Sequence, residues 1–191
     1  MGSEASLFAL FDDLEHQAAG LRLAEREAEV GELALGEYAQ VTLLGRLHGS
    51  RGMTVRVHPQ GGEHLSGRLH RVGADWIQLD DTHGVEWMLR LGAVDRLTGL
   101  APGAVSEEAW PITAGLSMRS ALRAMAGTRR ECVVQLLGGE RLEGVLGRVG
   151  HDFVELQRAS GMDRRATRQP SPGAGTEVVP LRALVSVREG R

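Results

Sequence analysis

Beginning at Leu7, the apolar positions Leu7, Phe11, Leu14, Ala18, Leu21 and Ala28 recur at alternating four- and three-residue steps, with Glu25 intruding. That spacing predicts an amphipathic helix with a coiled-coil-like seam, which either packs on the chain's own β-structure or meets a partner. Gly31 and Gly36 interrupt it, and a second helical segment is expected through Tyr38, Val41, Leu44 and Leu47, stopped by Gly49–Gly52. The period then changes from helical to two. Val55 and Val57 alternate with Arg56 and His58, and Gly61–Gly62 turns the chain into Leu65, Gly67 and Leu69, which reads as a hairpin of half-buried strands. A second turn at Val72–Asp75 leads to a strand with Ile77 and Leu79 on one face and Trp76 and Gln78 on the other. Further strands are expected at 85–91 and through Val94 and Leu97, separated by the corner Gly92–Ala93.

The same pattern then occurs again. SGRLHRVGADWIQL at 66–79 reappears as EGVLGRVGHDFVEL at 143–156, at a constant offset of 77 residues. Cys132 and Val134 take the places of Val55 and Val57, and Gly138–Gly139 those of Gly61–Gly62. A short helix over 120–126, ended by Gly127, is expected before the second copy. Past Leu156 the segment QRASGMDRRATRQPSPGAGT interrupts the match, which resumes at 179–184 with an offset of 90, so the second copy gained 13 residues. Self-similarity on this scale means that one small β-unit is built twice. The expected organisation is an acidic helical segment over 1–42, a first unit over 43–100, a linker over 101–116 and a second unit over 117–191 with an Arg-rich loop at 157–176.

Composition refines this picture. All 22 basic residues are arginine, and asparagine is absent as well, a pattern that GC-rich coding explains without any special role for guanidinium groups. Residues 1–50 carry a net charge of −6 and 51–191 a net charge of +3, so an acidic head precedes a mildly basic body. No apolar run of 18 residues is present, and the first residues lack the basic and apolar regions of a signal peptide. With Cys132 as the sole cysteine, no internal disulfide forms, and a cytoplasmic protein is expected.

The candidate chemistry is sparse. Cys132 falls inside an apolar alternation and reads as a buried structural thiol. His58, His64 and His70 lie on adjacent strands, but the second copy has Gln135, Arg141 and Gly147 there, and no further ligand completes a metal set. Asp75 and Asp152 are read as turn residues bonding their own backbone. Two features point to binding. Trp76 and Phe153 hold equivalent positions where rings could stack on bases or enter a partner groove, and Arg158, Arg164, Arg165 and Arg168 form a cationic loop suited to phosphates.

The stretch VVQLLGGERLEGVLGRVGHDFVEL resembles the first motif of the Sm-like proteins, and VVPLRALVSV is placed like their second motif. VRVHPQGGEHLSGRLHRVGADWIQL with LRLGAVDRL follows the same order. The resemblance covers most of residues 43–188, and the chain is similar to a protein type of high-GC Gram-positive bacteria. It implies a fold that is α+β, mainly β: an N-terminal helical segment followed by two tandem Sm-like/SH3-like five-stranded small barrels, each preceded by a short helix. Sm-like RNA sites use an asparagine on the third strand and a basic-glycine motif before the last. Here Gln78 and Glu155 stand near the first position, and Arg90–Gly92 and Arg182 near the second. The expected function is a non-catalytic regulatory protein that contacts RNA or DNA through barrel surfaces and the arginine loop. The alternative is a protein–protein adaptor using the acidic N-terminal helix and barrel edges. No cofactor, metal or membrane is expected.

Overall fold

The computed structural model describes residues 36, 38–158 and 175–190. The chain divides into two compact units, Met1–Thr42 and Leu43–Arg191, and the second contains every element described below. The seam helix expected from Leu7 onward lies outside the described residues.

In the second unit, helix α1 (Leu43–Gly49) leads into β1 (Thr54–Pro59), β2 (Leu65–Val72), β3 (Trp76–Asp81), β4 (Glu86–Arg90) and β5 (Val94–Thr98). Helix α2 (Met118–Thr128) then precedes β6 (Glu131–Leu136), β7 (Arg141–Val149), β8 (Phe153–Arg158), β9 (Thr176–Pro180) and β10 (Leu184–Glu189). Single 3-10 turns, Leu91–Ala93 and Leu181–Ala183, carry the chain from β4 to β5 and from β9 to β10. Among the described residues no helix is long and apolar enough to cross a membrane.

The strands do not form two separate five-stranded barrels. They make one continuous ten-stranded antiparallel sheet in the order β5-β1-β2-β3-β4-β10-β6-β7-β8-β9. The physical reason lies at the middle of that order. The outer edge of β4 does not close on β5 of its own half but bonds to β10, with Ser186 opposite Leu89, Val187 opposite Met88 and Arg188 opposite Trp87. A strand has two hydrogen-bonding edges, and β3 and β10 use both of those of β4, so neither half closes.

Within this sheet the duplication holds strand by strand. Trp76 faces Arg90 as Phe153 faces Pro180, and Val57 faces Leu97 as Val134 faces Val187. Each half is bent by a register shift in its second strand, between Leu69 and Arg71 and between Leu146 and Val149. Gly67 and Gly144 occupy matching places on those strands because their neighbours leave no room: a Cβ on Gly67 would lie 2.7 Å from the Asp80 carbonyl oxygen, and one on Gly144 would meet that of Gln157.

Two apolar clusters result. Leu47, Val55, Val57, Leu69, Val72, Ile77, Leu79 and Leu89 fill the first half. The second gathers Leu122, Val134, Leu142, Leu146, Val154, Leu156 and Val187, and it includes Trp76 from the first half. Helix α2 starts at the N-cap Ser117, whose hydroxyl accepts from the Ser120 amide, and ends where Arg129 takes a left-handed conformation at φ 52°. Gly127, expected as the terminator, lies inside the helix. The linker packs back on α1, with the Val105 amide donating to the Gly45 carbonyl and the Ala101 carbonyl accepting two bonds from Arg46.

Candidate functional site

The aromatic residues at the two β2–β3-type turns are equivalent in sequence but differ in surroundings. Each ring lies against the glycine three residues before it, Gly73 beneath Trp76 and Gly150 beneath Phe153. Trp76 is only 5% exposed, covered by α2 and the end of the linker, and its indole Nε1 donates to the Leu116 carbonyl at 2.8 Å. Its ring is a core wedge, out of reach of a base. Phe153 is half-buried, and among the described residues no helix follows its turn as α2 follows that of Trp76.

Asp75 acts across the halves. One carboxylate oxygen accepts from the Met118 amide at 2.6 Å, placing a negative charge on the first turn of α2, where the helix dipole favours it. The expectation that Asp75 bonds its own local turn is therefore corrected. Its backbone carbonyl accepts from Leu91, and that of Asp152 accepts from Leu181, so this part of the turn is common to both copies.

Of the arginines expected in a cationic loop, Arg158 ends β8 and bonds Glu177 at 2.7 Å across the β8–β9 pair, which neutralises its charge locally. Arg164, Arg165 and Arg168 lie outside the described residues. Among the histidines, the rings of His58 and His64 stand 5.6 Å apart, whereas His70 lies 3.6 Å from Asp80. Among the described residues no group of three His, Cys, Asp or Glu side chains is arranged to hold a metal ion. Cys132 is buried, its thiol donating to the Gly144 carbonyl at 3.2 Å. Burial pushes that thiol up to about 11, so it is not a nucleophile at neutral pH.

Two surfaces follow from the way the halves pair: a cleft that the sequence does not foreshadow, and the sheet edges, which the adaptor alternative had placed on separate barrels. On one face of the joint a cleft of about 630 Å³ opens between the halves, lined by Trp87, Gln135, Ser186 and Arg188 among others. The Arg188 guanidinium sits 5.3 Å from the centre of the Trp87 ring. Asp81 shapes its rim by accepting from the amides of His83 and Val85 and from the Trp87 indole. Burial raises the Asp81 carboxyl, but those three bonds outweigh it and hold the group below the usual range. The opposite face carries a smaller pocket of about 240 Å³ between α2 and the sheet, lined by Trp76, Met88, Ala121, Met125 and Val187.

The second surface is the pair of sheet ends. Each of β5 and β9 is bonded along one side only among the described residues. On β9, Val178 is 61% exposed, although it holds the place that Met88 holds on β4, where that side chain packs into the second cluster. The signal for this was present in the alternation of β9 but needed the pairing partner of β4 to be read. No family model matches this chain, and no curated protein matches its sequence.

Proposed function

We propose that this chain is a non-catalytic interaction protein whose free sheet edges take up an extended segment of a protein partner. The observation that carries the reading is the pair of edges, β5 and β9, that no strand pairs among the described residues, with exposed Val178 on the latter. An edge strand offers a row of amides and carbonyls that an added strand satisfies, while alternate side chains supply selectivity. The burial of Trp76 and the pairing of Arg158 with Glu177 leave the nucleic-acid alternative with less on its side. The reducing cytoplasm is the compartment that suits the thiol of Cys132.

The test is selection of random displayed peptides on the full chain. Sequences alternating apolar and polar residues are expected, with binding lost when Val178→Lys places a charge on the β9 edge. Recovery of no such peptide, or peptides indifferent to that substitution, overturns the reading. So does salt-dependent binding of single-stranded RNA or duplex DNA at micromolar protein.

A further inference from the structure

The cleft between the halves has a polar order that the strand register sets. Trp87, Arg188, Val133 and Glu143 are successive cross-strand partners along its floor, and Ser186, Gln135 and Arg141 form the next row. Glu131 lies two residues from Val133 on β6, on the side away from Gln135. Rows on one face of a sheet are two residues apart, about 7 Å along the strands.

The two ends of this floor differ in kind. Ser186, Gln135 and Arg141 offer hydroxyl, amide and guanidinium donors, and Arg188 adds another beside them. Ser186 is 1% exposed and Gln135 6%, yet their side-chain bonds are long: the Ser186 hydroxyl donates to Gln135 Oε1 at 3.5 Å, and Gln135 Nε2 to the Gly61 carbonyl at 3.4 Å. Arg188 uses one nitrogen on the Glu189 carbonyl and is restrained by the Trp87 ring. At the other end, Glu131 and Glu143 form no ion pair among the described residues, and neither does Arg141, two residues from Glu143 on the same face of β7. With Glu63 on the β1–β2 turn and Asp81 on the rim, the lining carries four carboxylates against two guanidinium groups.

Buried donors with unused capacity suit an anion, and unpaired carboxylates one row away suit a cation. Val133 and Trp87 between them give the apolar stretch that a hydrocarbon stem needs. We propose that the cleft binds a basic amino-acid carboxylate, with the carboxylate on Ser186, Gln135, Arg141 and Arg188 and the side-chain cation on Glu143 and Glu131. An extended arginine or lysine side chain sets its cation about as far from the carboxylate as one row lies from the next, about 7 Å. The excess of carboxylates repels a phosphodiester chain. The same end group occurs in a free amino acid and in the last residue of a peptide, and a cleft of about 630 Å³ holds either. The site is independent of the sheet edges, and it exists only because β4 and β10 share one sheet.

Nuclear magnetic resonance titration of the full chain with L-arginine, with agmatine, which lacks the carboxylate, and with citrulline, which lacks the charge, tests both ends. L-Arginine is expected to shift the amides of Gln135, Glu143 and Ser186, and each of the other two binds about tenfold more weakly, the cost of one charge-assisted contact. Arg141→Gln shrinks the advantage over agmatine, and Glu143→Gln that over citrulline. Both side chains are exposed and unpaired, so the fold survives their replacement. Gly-Gly-Arg with a free carboxylate separates the sources: binding tighter than that of arginine assigns the site to a peptide end, and weaker binding to the free amino acid. Val178→Lys, which tests the strand edges, leaves the titration unchanged. The proposal is overturned if millimolar L-arginine moves none of these amides, if the three ligands bind alike, or if both variants leave the discrimination intact.

Discussion

Truncating Trp76 tests the claim that the first half drives a wedge into the second. In Trp76→Phe the indole donor is lost, but the Leu116 carbonyl keeps a bond from the Ala74 amide at 3.1 Å, so no acceptor is orphaned. The loss is then that of one ordinary hydrogen bond, about 1 kcal/mol. Trp76→Ala empties a site that is 5% exposed and walled by Met118 and Leu122, and its cost belongs with other large core truncations, about 3–5 kcal/mol. Phe153→Ala removes the equivalent ring from a half-buried position, and about 1–2 kcal/mol is expected. Urea unfolding followed by far-UV circular dichroism measures all three. With a slope of about 2 kcal/mol/M, Trp76→Ala lowers the midpoint by about 2 M. The reasoning fails if Trp76→Ala and Phe153→Ala cost the same, or if Trp76→Ala costs less than about 1 kcal/mol.

Three other measurements bear on the fold. Asp75→Ala strips the charge from the first turn of α2 and lowers stability by about 1–2 kcal/mol, whereas Asp152→Ala, whose turn meets no helix among the described residues, is close to neutral in the same titration. Gly144→Ala forces a Cβ onto the Gln157 carbonyl, so a loss of at least about 2 kcal/mol is expected, again read by urea midpoint. His48 stacks on Trp110 at 4.5 Å with both ring nitrogens buried and unbonded, and burial, then the Arg51 charge, lowers its pKa below 6.5. The unfolded chain therefore binds the proton more readily, and the stability held above pH 6.5 declines as pH falls toward the lowered value. Thermal unfolding from pH 7.5 to 5 checks this, and His48→Phe flattens that part of the profile.

The duplication made individual strands legible, because period-two alternation and glycine turns act within a few residues. Helix α2, the hairpins and the corner at Gly92–Ala93 follow from such local rules. Strand partnership across the middle did not, since the pairing of β4 with β10 joins residues far apart in sequence, such as Leu89 and Ser186, and leaves no mark in either strand's own alternation. Copy equivalence also misled where it mattered for binding. Trp76 and Phe153 look alike in sequence, but among the described residues only Trp76 lies against a helix, α2. The Cys132 environment was readable because burial followed from its Val55 counterpart, while the cleft at Trp87 and Arg188 arises only when the halves share one sheet.

The linker between β5 and α2 has a consequence for how the molecule unfolds. At one end it is held by Gly45, Arg46 and Ser50, and at the other the Leu116 carbonyl accepts from both Ala74 and Trp76. A tether that only spanned a gap would let either half melt alone. This one is stitched to the first half along its length and ends in the helix that roofs the second. The melting of one half strips bonds from the other, so the ten-stranded sheet and helices α1 and α2 are expected to unfold in one cooperative step, and neither copy survives excision as an independent fold.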